Sequence, residues 1–132
     1  MAGYSGRPLY QKLGMKDGSR WLVVHPPENY LEILGTDYPQ VFRAQDPPFD
    51  AVHIFAFNRA ILEEEVHRFK DLIEKDGMIW ISWYKKASKI DTDVTEDVIR
   101  SVVLPLGLVD VKVCAVDDLW SGLKVVWRKE MR

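Results

Sequence analysis

The side chains best suited to chemistry follow three apolar segments of this 132-residue sequence. An imidazole, a carboxylate, an amide and a phenol come after the first segment, and an amide and a guanidinium follow the second. Lysines and a serine follow the third. Groups of these types can hold a phosphate or a carboxylate by charge-assisted hydrogen bonds. The candidate ligand-binding residues are His25, Glu28, Asn29, Tyr30, Asn58, Arg59, Lys85, Lys86 and Ser88.

The lysines after the third segment form the one local basic cluster of note. Lys85, Lys86 and Lys89 lie close together in sequence, with Ser88 between them and Tyr84 before them. Together with nearby helix N-termini, such a cluster can bind a small anion. The alternative is a polar loop that contacts only solvent.

The histidines and acidic residues give no pattern typical of a metal site or a catalytic group. His25 is a candidate general base, with a hydrogen-bonded structural residue as the alternative. His53 is predicted to be buried in a strand and His67 to be exposed on a helix, and the three share no ligand spacing. The single cysteine excludes a cysteine-based cluster. We interpret the run Glu63 to Glu65 as a solvated helix face, and we assign no metal, no cofactor and no catalytic residue.

Composition restricts the partners of the chain. The net charge of −2 and the pI near 5.9 argue against binding to nucleic acid or to an anionic membrane. The sequence has no apolar signal core and no apolar run near the ~18 residues of a membrane span. We therefore expect a cytoplasmic protein that binds a small anionic ligand, a protein partner or a second copy of itself.

Two apolar runs around a helical pattern form the expected centre of the fold. The runs are Phe49 to Phe57 and Met78 to Trp83. Between them, apolar residues recur at three- and four-residue steps from Arg59 to Lys75, with Asn58 as the expected N-cap and Gly77 as the stop. This order predicts a βαβ unit with two parallel strands.

Shorter patterns complete an α/β fold. Further strands are predicted over residues 21–25, 41–45, 108–116 and 123–127, and further helices over 30–34 and 94–106. Asp93 and Glu96 resemble a capping box for the last helix. The final two strands are joined by a short turn and should be antiparallel. We predict a single three-layer Rossmann-like domain, with an N-terminal arm over residues 1–14. Its sheet is mostly parallel, with about six strands and an antiparallel strand near the C-terminal edge.

The predicted topology brings the candidate residues to one edge of the sheet. Ligands of open α/β sheets bind beyond the carboxyl ends of the strands, where the strand order reverses. We expect that reversal between the strand ending at His25 and the strand ending at Phe57, with the loop after Trp83 alongside.

The order of elements resembles the class I S-adenosylmethionine-dependent methyltransferase fold. The lead-in to the family's first strand is matched by Met15 to Leu22, its fourth strand opens like Phe49 to Val52, and its fifth strand is matched by Leu72 to Ser82. Its closing helix and last two strands are matched by Val94 to Arg128. The resemblance covers roughly residues 13–130 and implies a truncated methyltransferase-like topology.

Two departures from that family bear on the cofactor. The family's Gly-rich acidic loop is replaced by the segment His25 to Tyr30, which has no glycine and carries two prolines that lack a backbone donor. The helix, strand and helix that precede the family's fourth strand have only Asp46 to Pro48 in their place. Asp46 lies about 20 residues after the first strand, where dinucleotide folds hold a ribose-binding acid, and a turn residue is the alternative.

The whole chain is also similar to a small bacterial family, a domain of unknown function. The shared motifs are Tyr4 to Leu9, Ser82 to Arg100 and Gly107 to Lys124. This resemblance implies the same degenerate fold and assigns no activity.

The retained sheet and the missing glycine loop favour a non-catalytic Rossmann-like binding or interaction module. The alternative is a minimal S-adenosylmethionine- or nucleotide-dependent enzyme with an atypical pocket, favoured by the polar residues at the expected strand ends. A third hypothesis is a structural or regulatory subunit that uses a sheet edge or the region Trp120 to Trp127 as an interface.

Overall fold

The computed structural model describes residues 7–35 and 46–132, which form one five-stranded sheet flanked by helices. The strands are β1 Trp21–Val24, β2 Phe49–Phe55, β3 Ile73–Tyr84, β4 Leu108–Ala115 and β5 Trp120–Trp127. The helices are α1 Leu9–Leu13, α2 Tyr30–Leu34, α3 Arg59–Phe69 and α4 Glu96–Val103, with 3₁₀ turns at Lys86–Ser88, Leu104–Leu106 and Lys129–Met131. None of these described helices is long and apolar enough to cross a membrane. The strand predicted over residues 41–45 lies outside the described residues.

The strand order is β1-β2-β3-β5-β4. Strands β1, β2 and β3 pair in parallel, which confirms the predicted βαβ unit. Strand β5 runs antiparallel to both β3 and β4, which confirms the antiparallel final pair and makes the sheet mostly parallel by strand direction. Among the described strands β1 and β4 lie at the two edges of the sheet.

Helices cover both faces of the sheet because its strands alternate apolar side chains between two cores. In β3, Ile79, Ile81 and Trp83 pack with α3 and α4, whereas Trp80 packs with α1 and α2. The Trp80 indole donates to the Leu13 carbonyl at 2.9 Å, which fixes the N-terminal arm on the second face. The described chain is therefore a three-layer α/β/α arrangement.

The end of α3 and the start of β3 differ from the prediction. The helix ends at Phe69, and β3 begins at Ile73, which pairs with Phe49 of β2. Gly77 does not stop a helix but lies inside β3, where the register between β2 and β3 shifts. Strand pairing with β2 thus overrides the helical spacing of the last apolar residues, because it satisfies backbone groups that the helix end would leave unpaired.

The start of α4 also differs from the prediction. Its N-cap is Thr95, whose hydroxyl oxygen accepts from the Val98 amide at 3.2 Å. Asp93 is not the cap, because its carboxylate accepts from the Arg59 amide of α3 at 2.8 Å. The predicted capping residue therefore joins two helices instead of starting one.

We expect Gly77→Ala to destabilise the protein more than the matched change Gly122→Ala. A Cβ at Gly77 would lie 2.9 Å from the backbone carbonyl oxygens of Asp50 and Glu74, which cannot move without distorting the paired strands. At Gly122 the nearest atom is a side-chain methyl of Val116 at 3.2 Å, which can shift. Urea unfolding should show a difference of about 2 kcal/mol between the variants. Equal midpoints would contradict the close backbone approach.

Candidate functional site

The carboxyl ends of β1, β2 and β3 meet at one edge of the sheet, where the turn between β4 and β5 also lies. The predicted site residues follow these strand ends. The described strands β1, β2 and β3 lie side by side in chain order, so the strand-order reversal predicted between β1 and β2 is absent from the described part of the sheet. In the described sheet, strand order departs from chain order only at β5, which lies between β3 and β4.

At the end of β1, His25 contacts a buried carboxylate. The His25 Nε2 atom lies 3.2 Å from Oε2 of Glu65 on α3, and the exposed fractions of the two side chains are 48% and 4%. The other carboxylate oxygen accepts from Arg68 Nη1 at 3.3 Å. The prediction that Glu63 to Glu65 form a solvated face is therefore wrong for Glu65, which packs on the buried side of α3 with Leu62.

The backbone of His25 is left-handed, with φ at 56°. This conformation is uncommon for a residue with a Cβ, and the following Pro26 restricts it further. Glycine adopts it without strain, so the corner keeps a backbone geometry suited to glycine while carrying an imidazole. Glu28 and Asn29 follow as exposed residues before α2.

Tyr30 lies in the core instead of at the predicted site. Its hydroxyl is 2.9 Å from His53 Nδ1, and His53 Nε2 is 2.7 Å from the Ser82 hydroxyl oxygen. All three residues are buried, as predicted for His53. Burial raises the pKa of Tyr30 and lowers the pKa of His53 to about 3, so the imidazole is neutral. The network therefore joins α2, β2 and β3 through uncharged hydrogen bonds.

Asn58 and Arg59 stabilise the start of α3. The Asn58 side-chain oxygen accepts from the Ile61 amide at 2.8 Å, which confirms the predicted N-cap. The Arg59 guanidinium contacts Glu63 at 3.1 Å, and its backbone amide donates to Asp93. Two donors at this helix end already have acceptors within the chain, which leaves less of the N-terminus open to an external anion.

The loop after β3 borders a cavity of about 720 Å³. Lys86 of the predicted site lines it, together with Lys89, whereas Lys85 and Ser88 are not among its lining residues. The Lys85 amide donates to the Leu119 carbonyl at 2.9 Å, and the Ser88 hydroxyl oxygen accepts from the Ile90 amide at 3.1 Å. The predicted cluster thus divides into two residues with backbone contacts and two that face a cavity.

A second cavity, of about 430 Å³, lies between the N-terminal arm, α2 and the turn before β5. Asn29 lines it, as do Lys12 and Asp117. Lys12 Nζ donates to the Ala115 carbonyl at 3.3 Å, and the Asp117 carboxylate accepts from two amides of its own turn. These contacts indicate a structural role for both charges. Within the described residues no group of His, Cys, Asp and Glu could hold a metal ion.

The contacts separate the predicted residues into a corner at His25, a helix start at Asn58 and a cavity at Lys86. Sequence reasoning did not place Glu65 beside His25 or Ser121 beside the loop after β3, where Ser121 lines the larger cavity. A signal for Glu65 was present, since it lies three residues after Leu62 and four before Phe69 on the apolar face. For Ser121, only the strand pairing with Trp83 reveals its position.

Solved structures with a similar fold include methyltransferases, all at low sequence identity. A tRNA methyltransferase from B. subtilis matches with a TM-score of 0.54 and 12% identity, over 85% of this chain and 61% of that chain. A ribosomal protein methylase from Lactobacillus delbrueckii subsp. bulgaricus matches with a TM-score of 0.54 and 13% identity, over 96% of this chain and 67% of that chain. A protein from Thermoplasma acidophilum described as a methyltransferase matches with a TM-score of 0.55 and 11% identity, over 93% of this chain and 75% of that chain. This chain thus spans less than two thirds of the first of these proteins.

These likenesses show a Rossmann-like, methyltransferase-like α/β fold. No protein-family model and no curated protein matches the chain. The resemblance to a small bacterial family therefore stays a prediction, and the fold alone does not say whether the protein is catalytic.

We expect the buried His53 to make stability fall as the solution becomes acidic. Burial lowers its pKa to about 3 in the fold, against 6.5 for a histidine in water, so only the unfolded chain takes up this proton between those values. The stabilising difference is complete above about pH 6.5 and decreases as pH falls towards 3, by at most about 1.4 kcal/mol per pH unit. Urea unfolding of wild type and His53→Asn between pH 7 and pH 4 measures this slope.

The matched control is His67→Gln, which removes an exposed histidine of α3. We expect His67→Gln to keep the wild-type pH slope and His53→Asn to reduce it. Parallel slopes for wild type and His53→Asn would show that His53 takes up its proton equally in both states.

At the corner, we expect His25→Gly to be more stable than His25→Ala. Both changes remove the contact with Glu65, but alanine keeps a Cβ in the left-handed conformation and glycine does not. The difference in unfolding free energy should be about 1 kcal/mol. Denaturant midpoints at constant m-value measure it, and a more stable alanine variant would rule out backbone strain at this position.

Proposed function

We propose that this chain is a non-catalytic Rossmann-like binding module that no longer holds S-adenosylmethionine at the end of its first strand. The observation that carries the proposal is the corner after β1, where the His25 imidazole contacts the buried Glu65 carboxylate at 3.2 Å. A cofactor that approached the backbone here would meet a side chain and two prolines instead of a glycine loop.

Neighbouring groups support the same proposal. Nucleotide sites of open α/β sheets use backbone amides at a helix N-terminus to hold phosphate or other anionic groups. In α3, the Asn58 side chain and the Asp93 carboxylate already accept from amides of the first turn. The Tyr30 hydroxyl contacts His53 in the core. These groups therefore stabilise the fold and are less available to a cofactor.

A minimal S-adenosylmethionine- or nucleotide-dependent enzyme is the second candidate. The left-handed φ of His25 favours it, because strained backbone is often found at functional sites and this strain occurs at the strand end where a cofactor would bind. An exposed imidazole beside a buried carboxylate is also a suitable general base. The cytoplasmic location and a protein partner or homo-oligomer stay predictions under either candidate.

We expect isothermal titration with S-adenosylmethionine to show no binding tighter than about 1 mM. Thermal unfolding with the same compound, and with ATP and NAD, should leave the melting temperature unchanged. A ligand at 100 times its dissociation constant would add about 2.7 kcal/mol of stability, which such a scan detects easily. Micromolar binding of S-adenosylmethionine would reject the proposal in favour of the enzyme, and transfer of its methyl group to any substrate would establish catalysis.

A further inference from the structure

We propose that the cavity beside the loop after β3 binds a small molecule that joins a phosphate or carboxylate group to an apolar body. This inference rests on the proposed binding function and names its site and ligand class. The cavity has about 720 Å³, within the range of small-molecule sites. Its lining combines charged, hydroxyl and apolar side chains, among them Lys86, Lys89, Arg100, Ser121, Trp83 and Ile90.

The charges of the cavity that have no partner are mainly positive. Within the described part of the chain, neither Lys86 nor Lys89 forms an ion pair or a side-chain hydrogen bond. The third cation, Arg100, is already bound on three sides. Its guanidinium donates to Asp110 at 3.0 Å, to Asp97 at 3.3 Å and to Glu96 at 2.8 Å.

The charged residues that line the cavity balance, with three cations and three carboxylates, so the two lysines are distinguished by lacking an ion-pair partner and not by a net positive charge. Glu96 and Asp97 contact Arg100, so Asp91 is the one lining carboxylate without an ion pair among the described residues. Two ammonium groups without partners therefore face one such carboxylate. An anionic group in direct contact with Lys86 and Lys89 would gain from both ammonium charges, against weaker repulsion from Asp91 and from Glu96 and Asp97, which share the Arg100 charge.

Hydroxyl groups add neutral donors to the same cavity. The Thr92 and Thr95 hydroxyl oxygens accept from the Val94 and Val98 amides at 3.2 Å each, which leaves both O–H groups able to donate. The Ser121 hydroxyl has no hydrogen-bond partner in the described residues. Ammonium and hydroxyl donors together match a group with two or three acceptor oxygens.

Apolar side chains form the rest of the lining. Ile90 is 40% exposed at the cavity although it is a large aliphatic residue. Trp83 and Val94 of the core also line the cavity. Trp83 of β3 is paired with Ser121 of the neighbouring strand β5. A ligand with an apolar body would cover Ile90 and gain from that burial, whereas a free inorganic anion would not.

Nuclear magnetic resonance titration of the full chain tests the site with defined probes. The probes are phenyl phosphate, benzoate, benzyl alcohol and inorganic phosphate, each up to about 10 mM, because millimolar affinity is the expected range for such fragments. We expect phenyl phosphate or benzoate to shift the amides of residues 86–97 and of Ser121. Whichever binds more tightly identifies a phosphate or a carboxylate as the natural group. Benzyl alcohol and inorganic phosphate should bind at least about tenfold more weakly, since each lacks one half of the ligand.

Matched variants decide whether the cavity residues cause the binding. We expect Lys89→Ala to weaken binding of the preferred probe about tenfold and Asp91→Asn to strengthen it severalfold. Lys129→Ala removes an exposed lysine that does not line the cavity, and it should change nothing. An effect of Lys129→Ala equal to that of Lys89→Ala, or shifts spread over lysines outside residues 86–97, would overturn the proposal.

These outcomes are independent of the cofactor test. Absence of shifts at residues 86–97 with every anionic probe overturns the ligand class proposed here, but the module could still bind a protein partner. Tight binding of S-adenosylmethionine rejects the non-catalytic function, and the shifts that it causes would show whether it uses the β1 corner or this cavity.

Discussion

The arrangement of the sheet edge at the carboxyl ends of β1, β2 and β3 depends on the two hydrogen bonds of the neutral His53 imidazole. It lies fully buried in β2, where it contacts Tyr30 of α2 on one side and Ser82 of β3 on the other. A buried polar group without partners would cost several kcal/mol, so these three side chains hold their elements in one relative position. Since β1 pairs with β2, both ends of the segment from His25 to Asn29 are fixed by the same strand.

The left-handed turn at His25 follows from that constraint. The chain must leave β1 and reach α2 within five residues, two of which are prolines with fixed φ. A left-handed residue reverses the chain direction in the fewest steps, and the contact with Glu65 offsets part of its backbone strain. The corner after β1 of this methyltransferase-like sheet is therefore held by a contact between two of the chain's own side chains, His25 and Glu65.

Predictions from the sequence were correct for elements whose signals are local, and they were wrong for residues whose positions depend on pairing between strands. The apolar run of β2, the Asn58 cap and the burial of His53 were all correct because each depends on nearby residues. Gly77 was misassigned, because its role is a close approach to Asp50 of another strand. Helical spacing also did not show that Ile73 would pair with Phe49.

The candidate site was harder to predict than the fold, since it depends on which side chains have partners elsewhere. The sequence does not distinguish Lys85 from Lys86 and Lys89, which belong to the same predicted loop. In the structure only Lys86 and Lys89 line the cavity. Glu65 was placed with its acidic neighbours, although its spacing from Leu62 put it on the buried face. Partner choice of this kind is set by long-range geometry, which a single sequence does not contain.

Strand β5 lies between β3 and β4 in the sheet, and the larger cavity borders the start of β5, away from the first strand. Because β5 is antiparallel, its first residues lie beside the carboxyl end of β3, which places Ser121 opposite Trp83. The loop from Lys86 to Thr95 connects this end of β3 to α4, and residues of the loop line the cavity together with Trp83 and Ser121. The ion network of Arg100 fixes the first turn of α4 to Asp110 of β4, so one wall of the cavity is held by the edge of the sheet. The sheet in this way presents a cavity lined by the unpaired Lys86 and Lys89 at the ends of β3 and β5, away from the corner at β1.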